Sequence, residues 1–276
     1  MGRSPTEATM RAWRPTVFLK FSMALHAVAL LLVLVKPALW PWLLAAVLCD
    51  HIAITLVALW PQSTMLGPNL VRLPESAARR GEVAITIDDG PDAEVTPQVL
   101  ALLDAFGAKA SFFCIGERAA AHPELCRRII AAGHSIENHG QLHRKHSSFL
   151  GYRGWLREVG TAQDTLTAVT GHPPRFFRAL AGFRNPFLEP ALGHLGLHLS
   201  SWTRRGFDTV VGDPDRVLSR LTRNLTAGDI LLLHDGHCAR TPSGKPVIVE
   251  VLPALLSKLQ ASRLKPVTLV SACLPS

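Results

Sequence analysis

The stretch Gly81-Glu82-Val83-Ala84-Ile85-Thr86-Ile87-Asp88-Asp89-Gly90-Pro91-Asp92 sets the reading of the rest of the chain. Val83–Ile87 is a short apolar run rich in β-branched residues, which predicts a buried strand. It stops at two adjacent carboxylates and a Gly-Pro turn. Val95–Phe106 follows, with Val99, Leu102, Leu103 and Phe106 on one helical face. The same hand-over from strand to helix recurs. Ser111–Ile115 reads as strand, Glu117–Ala132 as helix, Ser135–Asn138 as strand and Leu156–Val169 as helix. Arg175–Arg178 and Leu197–Trp202 are extended, and Arg216–Leu225 is helical. Ile230–Leu233 (strand), Ile248–Ala261 (helix) and Pro266–Leu269 (strand) complete the series. Such alternation implies a parallel sheet, as a barrel or a doubly wound sheet, and about seven strands suit a small βα barrel.

The N-terminal end has a different composition. Hydrophobic residues make up 48% of the 276-residue chain and charged ones 18%, and the apolar excess lies before Pro61. Between Val17 and Trp60 the charged residues are Lys20, Lys36 and Asp50 alone. Residues 17–35 and 38–60 are each long enough to cross a bilayer core of roughly 30 Å, with Trp40, Trp42 and Trp60 at their ends. A cleaved signal peptide is the rival, but the apolar stretch is doubled and lacks a small-residue cleavage site before Pro61. The expected plan is a membrane anchor over residues 1–60, a linker over 61–80 and a catalytic domain over 81–276. Asp50 and His51 fall mid-span. They are either functional or a polar pair hidden against the first helix, facing His26. Arg3, Arg11, Arg14 and Lys20 put the N-terminus in the cytoplasm, so two crossings return the domain there, at a bacterial inner membrane. A single crossing would place it in the periplasm.

The net charge is +8, but the basic residues are scattered, with no zinc-finger spacing and no aromatic platform among them. No nucleic-acid partner is expected. Five cysteines at irregular spacing give no disulfide framework.

Polar residues gather at strand ends, the face where parallel α/β domains build active sites. Asp88 and Asp89 end the first strand, where one carboxylate can bind a cation while the other serves as a base; alone, the segment reads rather as a capped turn. His139 and His143 follow the third strand at i and i+4, a spacing that on a helical turn lets both share a metal. With Asp89 they form a two-His, one-carboxylate set. Arg178 ends another strand and can hold a carboxylate ionised; His234 follows Ile230–Leu233 and can act as an acid near neutral pH.

Together these elements resemble the polysaccharide deacetylase family (the NodB-homology domain, carbohydrate esterase family four). The resemblance spans about residues 81–269 and includes Lys109-Ala110-Ser111-Phe112-Phe113. It implies a distorted (β/α)7 barrel and a hydrolase that removes an acetyl or formyl group from an amino sugar. The substrate would be a cell-envelope glycan or a lipid-linked saccharide. It implies Asp88 as general base and Asp89, His139 and His143 as ligands of a divalent metal, usually zinc, with cobalt, nickel or manganese as alternatives. Arg178 would orient the base and His234 would be the general acid, with Asp208, six residues after Trp202, as its partner. Ala181 would donate its N–H to the oxyanion, and Leu232 and Trp202 would line the acyl pocket. Two departures stand out. The family's Arg-Pro-Pro-Tyr-Gly is Arg178-Ala179-Leu180-Ala181-Gly182 here, and the tryptophan after the Asp208 position is Thr209. These changes leave open a second reading, a degenerate, membrane-bound glycan-binding or scaffold protein.

Overall fold

The computed structural model describes residues 10–273; residues 1–9, Arg3 among them, and 274–276 lie outside it. Two long helices come first: α1 (Val17–Val35) and α2 (Trp40–Ala58), joined by a 3-10 turn at Pro37–Leu39. Both are long and apolar enough to cross a membrane. Only 11% and 6% of their most apolar windows are buried, whereas a core helix of a water-soluble domain would be mostly covered. Asp50 is buried against α1: Ser22 Oγ donates to its Oδ2 at 2.6 Å, and His26 Nδ1 lies 3.8 Å from the same oxygen. The neighbour expected for it is thus present.

The stretch expected as a linker is laid onto the domain instead of hanging free. It contains α3 (Glu75–Arg79), and Leu66, Leu73 and Ala77 are buried. Leu70 N–H donates to the Leu199 carbonyl, and its own carbonyl accepts from Ser201 N–H, both at 2.9 Å. Arg72 reaches the buried Asp229 carboxylate at 2.6 Å.

The domain then runs β1 (Glu82–Gly90), α4 (Val95–Ala105), β2 (Ser111–Cys114), α5 (Gly116–Ala121), α6 (Pro123–Ala131) and β3 (Ser135–Asn138). After these come α7 (Tyr152–Thr170), β4 (Phe176–Phe177), α8 (Leu188–His194), β5 (His198–Leu199) and β6 (Arg204–Arg205). The last elements are α9 (Pro214–Thr222), β7 (Ile230–His234), α10 (Val247–Ala261), β8 (Lys265–Val267) and α11 (Leu269–Cys273). All pairings in the sheet are parallel, in the order β5-β4-β3-β2-β1-β7-β6. β8 pairs with β1 at Glu82–Ala84, below the point where β2 takes over at Thr86. The two edge strands are joined directly by the short segment between Leu199 and Arg204, so the sheet curls into an incomplete barrel.

Two differences from the sequence reading have plain causes. The helix expected over Glu117–Ala132 breaks at His122, because Pro123 removes an N–H and opens a new helix at its first position. The two-residue β6 is too short to leave a periodic signal.

Strand alternation decides which residues see the barrel interior. Ile85 and Ile87 of β1 and Leu231 and Leu233 of β7 face the helices, packing with Val99 and Leu103 of α4 and Leu252 and Leu255 of α10. Ala84, Ile230 and Leu232 face the other way, with Phe113, Phe176 and Trp202. Thr86 and Asp88 share parity with Ala84, and His234 with Leu232. The period of two carries all three polar groups to the inner face.

Candidate active site

Asp88, buried inside the barrel, is held by Arg178. The guanidinium Nη1 donates to Asp88 Oδ1 and to Thr86 Oγ1, both at 2.7 Å. Its Nε donates to the Ser200 carbonyl at 3.2 Å and Nη2 to the Ser201 carbonyl at 2.8 Å, while its carbon lies 4.0 Å from the centre of the Phe113 ring. Burial pushes the Arg178 pKa down, and the Asp88 charge opposes that. The arginine occupies one carboxylate oxygen and leaves Oδ2 free of it.

Asp89 takes the left-handed conformation (φ 71°), and Arg118 Nη1 donates to its carbonyl at 2.8 Å. Gly236 packs against this turn, where a Cβ would overlap the Asp89 carbonyl oxygen, so no larger residue fits. Asp92, the third acid of the segment, is a helix cap: its Oδ1 accepts from Glu94 and Val95 N–H at 2.9 Å.

The two histidines converge on Asp89, although not from a helical turn. Residues 139–143 form a loop, with Gly140 at φ 85° and His143 at φ 51°. Its amides are taken by side chains: Gly140 N–H donates to Asn138 Oδ1, and Leu142 and His143 N–H donate to Glu158 Oε1. The expected i→i−4 ladder therefore has no donors left. His139 Nε2 and His143 Nε2 lie 3.2 and 3.0 Å from Asp89 Oδ1. His139 Nδ1–H donates to the Arg178 carbonyl at 2.9 Å, which fixes its tautomer and turns the Nε2 lone pair toward Asp89. His143 Nε2 is buried and, among the described residues, has no hydrogen-bond partner. The three ligand atoms fall within 4.8 Å of one another. Two imidazole nitrogens this close to one carboxylate oxygen fit a divalent cation among them. Burial raises the Asp89 pKa, but the two imidazoles outweigh it and hold the carboxyl far below its ordinary range.

Across the cavity, His234 Nδ1–H donates to Asp208 Oδ1 at 2.9 Å, and its backbone N–H donates to Asp208 Oδ2 at 2.7 Å. Burial lowers the His234 pKa, yet Asp208, with Asp88 and Asp89 beyond it, raises it on balance above the usual imidazole value. Ala181, Trp202, Thr209 and Leu232 wall a cavity of about 370 Å³ that Asp88, Asp89, His139, His143 and His234 also face. Ala181 is itself left-handed (φ 52°, ψ 11°), a strained conformation for alanine.

Sequence reasoning missed Thr86, Asp235 and His237. Thr86 is a second anchor for Arg178, and a polar residue inside an apolar strand was its one signal. Asp235 is buried and accepts from Thr96 Oγ1 and Gly236 N–H; desolvation pushes its carboxyl up to about 7. His237 Nδ1 lies 3.8 Å from Asp89 Oδ2 at the cavity mouth, its side chain exposed, and only its place near His234 hinted at it.

A sequence profile described as polysaccharide deacetylase matches residues 75–199. A peptidoglycan-N-acetylglucosamine deacetylase of Bacillus cereus is 30% identical over 188 residues, covering 63% of this chain and 81% of that protein. The chain belongs to the polysaccharide deacetylase family. A chitooligosaccharide deacetylase of Sinorhizobium fredii is 34% identical over 172 residues, covering 59% of the chain and 76% of the relative. Among solved structures, a peptidoglycan N-acetylglucosamine deacetylase superposes with a TM-score of 0.67 at 26% identity, over 75% of this chain and 94% of that one. A family 4 carbohydrate esterase from Streptomyces lividans gives 0.61 at 27% identity, over 67% and 91%. A pseudoenzyme of the same family from Bacillus anthracis gives 0.65 at 22% identity, over 75% and 70%, so the fold is shared by proteins with and without activity. The relatives identify the chain as a hydrolase of carbon–nitrogen bonds.

Arg178 offers a direct test of this arrangement. Arg178→Leu should cost roughly 3–5 kcal/mol in denaturant unfolding of the full chain in detergent, because it leaves Asp88 buried and unpaired. Arg178→Lys should recover only part of that, since one ammonium cannot reach the four acceptors. A loss below about 1 kcal/mol for both would contradict the buried-pair assignment.

Proposed function

We propose that the protein is a metal-dependent carbohydrate N-deacetylase that hydrolyses an acetyl or formyl group from an amino sugar, on a cell-envelope glycan or a lipid-linked saccharide. The carrying observation is the convergence of Asp89, His139 and His143 on one side of the cavity, with His234 and Asp208 on the other and Asp88 between. Asp89, His139 and His143 would hold a divalent ion, zinc by preference for two imidazoles and one carboxylate. When bound, that ion supplies Lewis-acid polarisation of the acyl carbonyl and activation of water.

The chain's own groups divide the proton work. Asp88, with Oδ1 occupied by Arg178, takes the proton of the attacking water on Oδ2. The Ala181 N–H at the cavity wall donates to the developing oxyanion. His234, with Nδ1 committed to Asp208, delivers its proton from Nε2 to the departing amine. Leu232 and Trp202 form an apolar wall against the acyl methyl. The non-catalytic reading, a tethered glycan-binding protein, is disfavoured because Asp88, His139 and His234 each keep a specific orienting partner.

The anchor at residues 1–60 would hold the domain of residues 81–276 against the inner membrane. The basic N-terminal flank supports a cytoplasmic domain, and hence a lipid-linked substrate at the inner leaflet. A C-terminal phosphatase reporter should then be silent; an active one would move the domain to the periplasm and the substrate toward peptidoglycan or an exopolysaccharide.

Purified protein should release acetate or formate from N-acylated amino sugars, and a chelator should abolish the release. Asp89→Ala should lose zinc and activity together. Asp88→Asn should retain zinc while kcat falls roughly 10²–10⁴-fold. An Asp89→Ala protein that kept both metal and activity would sink the assignment.

Asp208→Asn makes a separate prediction about pH. The raised pKa keeps His234 protonated above the ordinary imidazole value, so activity is retained below that raised pKa and lost as pH rises through it. Removing the Asp208 charge should move the alkaline limb of kcat/KM to lower pH. An unmoved limb would show that His234 is not the group being titrated.

A further inference from the structure

A second cleft, of about 490 Å³, opens beside the catalytic cavity, and Trp202 and Arg205 line both. Its other walls are Trp60 and Pro61, where the chain leaves α2, the Phe207 ring, and Arg204, Arg220 and Arg223. Arg204 is neutralised by Asp229, its Nε 3.2 Å from Oδ2. Arg205, Arg220 and Arg223 have no carboxylate within 4.0 Å among the described residues. Arg205 Nε is buried without a hydrogen-bond partner. The guanidinium carbon of Arg205 lies 5.4 Å from the Trp202 ring centre and 4.9 Å from that of Phe207, and Arg220 lies 5.1 Å from Phe207.

Cation–π contact with the aromatic faces holds Arg205 and Arg220, and apart from a long 3.4 Å bond from Arg220 Nη1 to the Gly206 carbonyl their N–H edges are left for an acceptor. Three uncompensated cations crowded into one cleft repel one another, so the cleft is complementary to an anion of more than one charge. Planar N–H forks suit phosphate oxygens bidentately. A neutral glycan chain could accept hydrogen bonds here but would leave the positive charge uncompensated. The position narrows the source of the anion further. The cleft shares Trp202 and Arg205 with the cavity that would hold the amino sugar, and its lining includes Trp60, two residues beyond the second apolar helix. A phosphate there would have a sugar on one side and a membrane on the other.

We infer that this cleft binds the phosphate or diphosphate that joins the amino sugar to a membrane lipid, so that the substrate is a lipid-phosphate-linked N-acylated sugar. The inference rests on the deacetylase reading for the sugar's fate, but the phosphate site stands on its own geometry.

The test uses the full chain, zinc-loaded, in phosphatidylcholine nanodiscs. Three substrates are compared: N-acetylglucosamine on a polyprenyl diphosphate, UDP-N-acetylglucosamine, and a neutral chitooligosaccharide. The lipid-linked sugar should exceed both others in kcat/KM by at least about tenfold. In the Arg220→Gln/Arg223→Gln double variant its KM should rise by about 10–100-fold, while turnover of the neutral oligosaccharide is unchanged. Arg220→Lys/Arg223→Lys should recover part of the loss, which a folding defect would not allow. Equal use of the nucleotide sugar, or equal losses on charged and neutral substrates, would overturn the inference. Direct binding of sugar-free polyprenyl diphosphate separates the two readings. Arginine-dependent binding by a chain that hydrolyses none of the sugars would support the phosphate site and remove the deacetylase reading. Binding that ignores the arginines, or that phosphatidylglycerol in the nanodisc displaces, would overturn the phosphate site.

Discussion

The buried ion pair between Arg178 and Asp88 is the contact on which the site depends. The arginine comes from the segment after β4, passes through the barrel interior and ties β1 to the chain beyond β5 through Ser200 and Ser201. A guanidinium with no access to water must have its donors met, and here Thr86, Asp88 and two carbonyls meet them. The same segment turns its own carbonyl toward His139 and so orients the imidazole proposed as a metal ligand. Asp88 and His139 are thus aligned by one residue, the side chain of Arg178 holding the first and its carbonyl the second.

This arrangement explains why the altered loop after Arg178 does not dismantle the site. The family's Pro-Pro-Tyr is Ala179-Leu180-Ala181 here, yet Arg178 is anchored by its side chain and not by the stiffness of the next three residues. Ala181 still adopts a left-handed conformation at the cavity wall. The rigidity that prolines would give is supplied from outside the barrel: a Cβ on Gly182 would overlap Pro61 and come within 2.9 Å of the Trp202 ring. The exit of α2 is packed directly on the loop.

Much of the fold was legible because β1, β2, β3 and β7 are short apolar runs with polar ends, and α4, α7 and α10 carry clear helical stripes. The strand-end residues Asp88, Asp89, His139, Arg178 and His234 were legible for the same reason, since parity and position alone send them to one rim. What escaped was anything fixed only by tertiary partners. The 139–143 loop reads as a helical turn until Glu158 is seen to take its amides. Residues 61–80 read as a linker because their hydrogen bonds go to β5 and Asp229, far along the chain. Asp235 looks like an ordinary turn acid, and only its near-complete burial marks it out.

The hydrogen bond from Ser22 to Asp50 has a consequence for depth and register. Were α1 and α2 to cross a bilayer as proposed, an unpaired carboxylate there would cost about 2.5–3.5 kcal/mol or more, and sliding α2 by one turn against α1 would part Asp50 from Ser22. The pair would then act as a detent that favours one alignment of the two helices. Because Pro61 lies just beyond α2 and bears on Gly182, that alignment would, with the proposed anchor in a bilayer, also set how far the site's rim stands from the lipid surface. A serine buried between two apolar helices is, in this sense, part of the enzyme's measuring gauge.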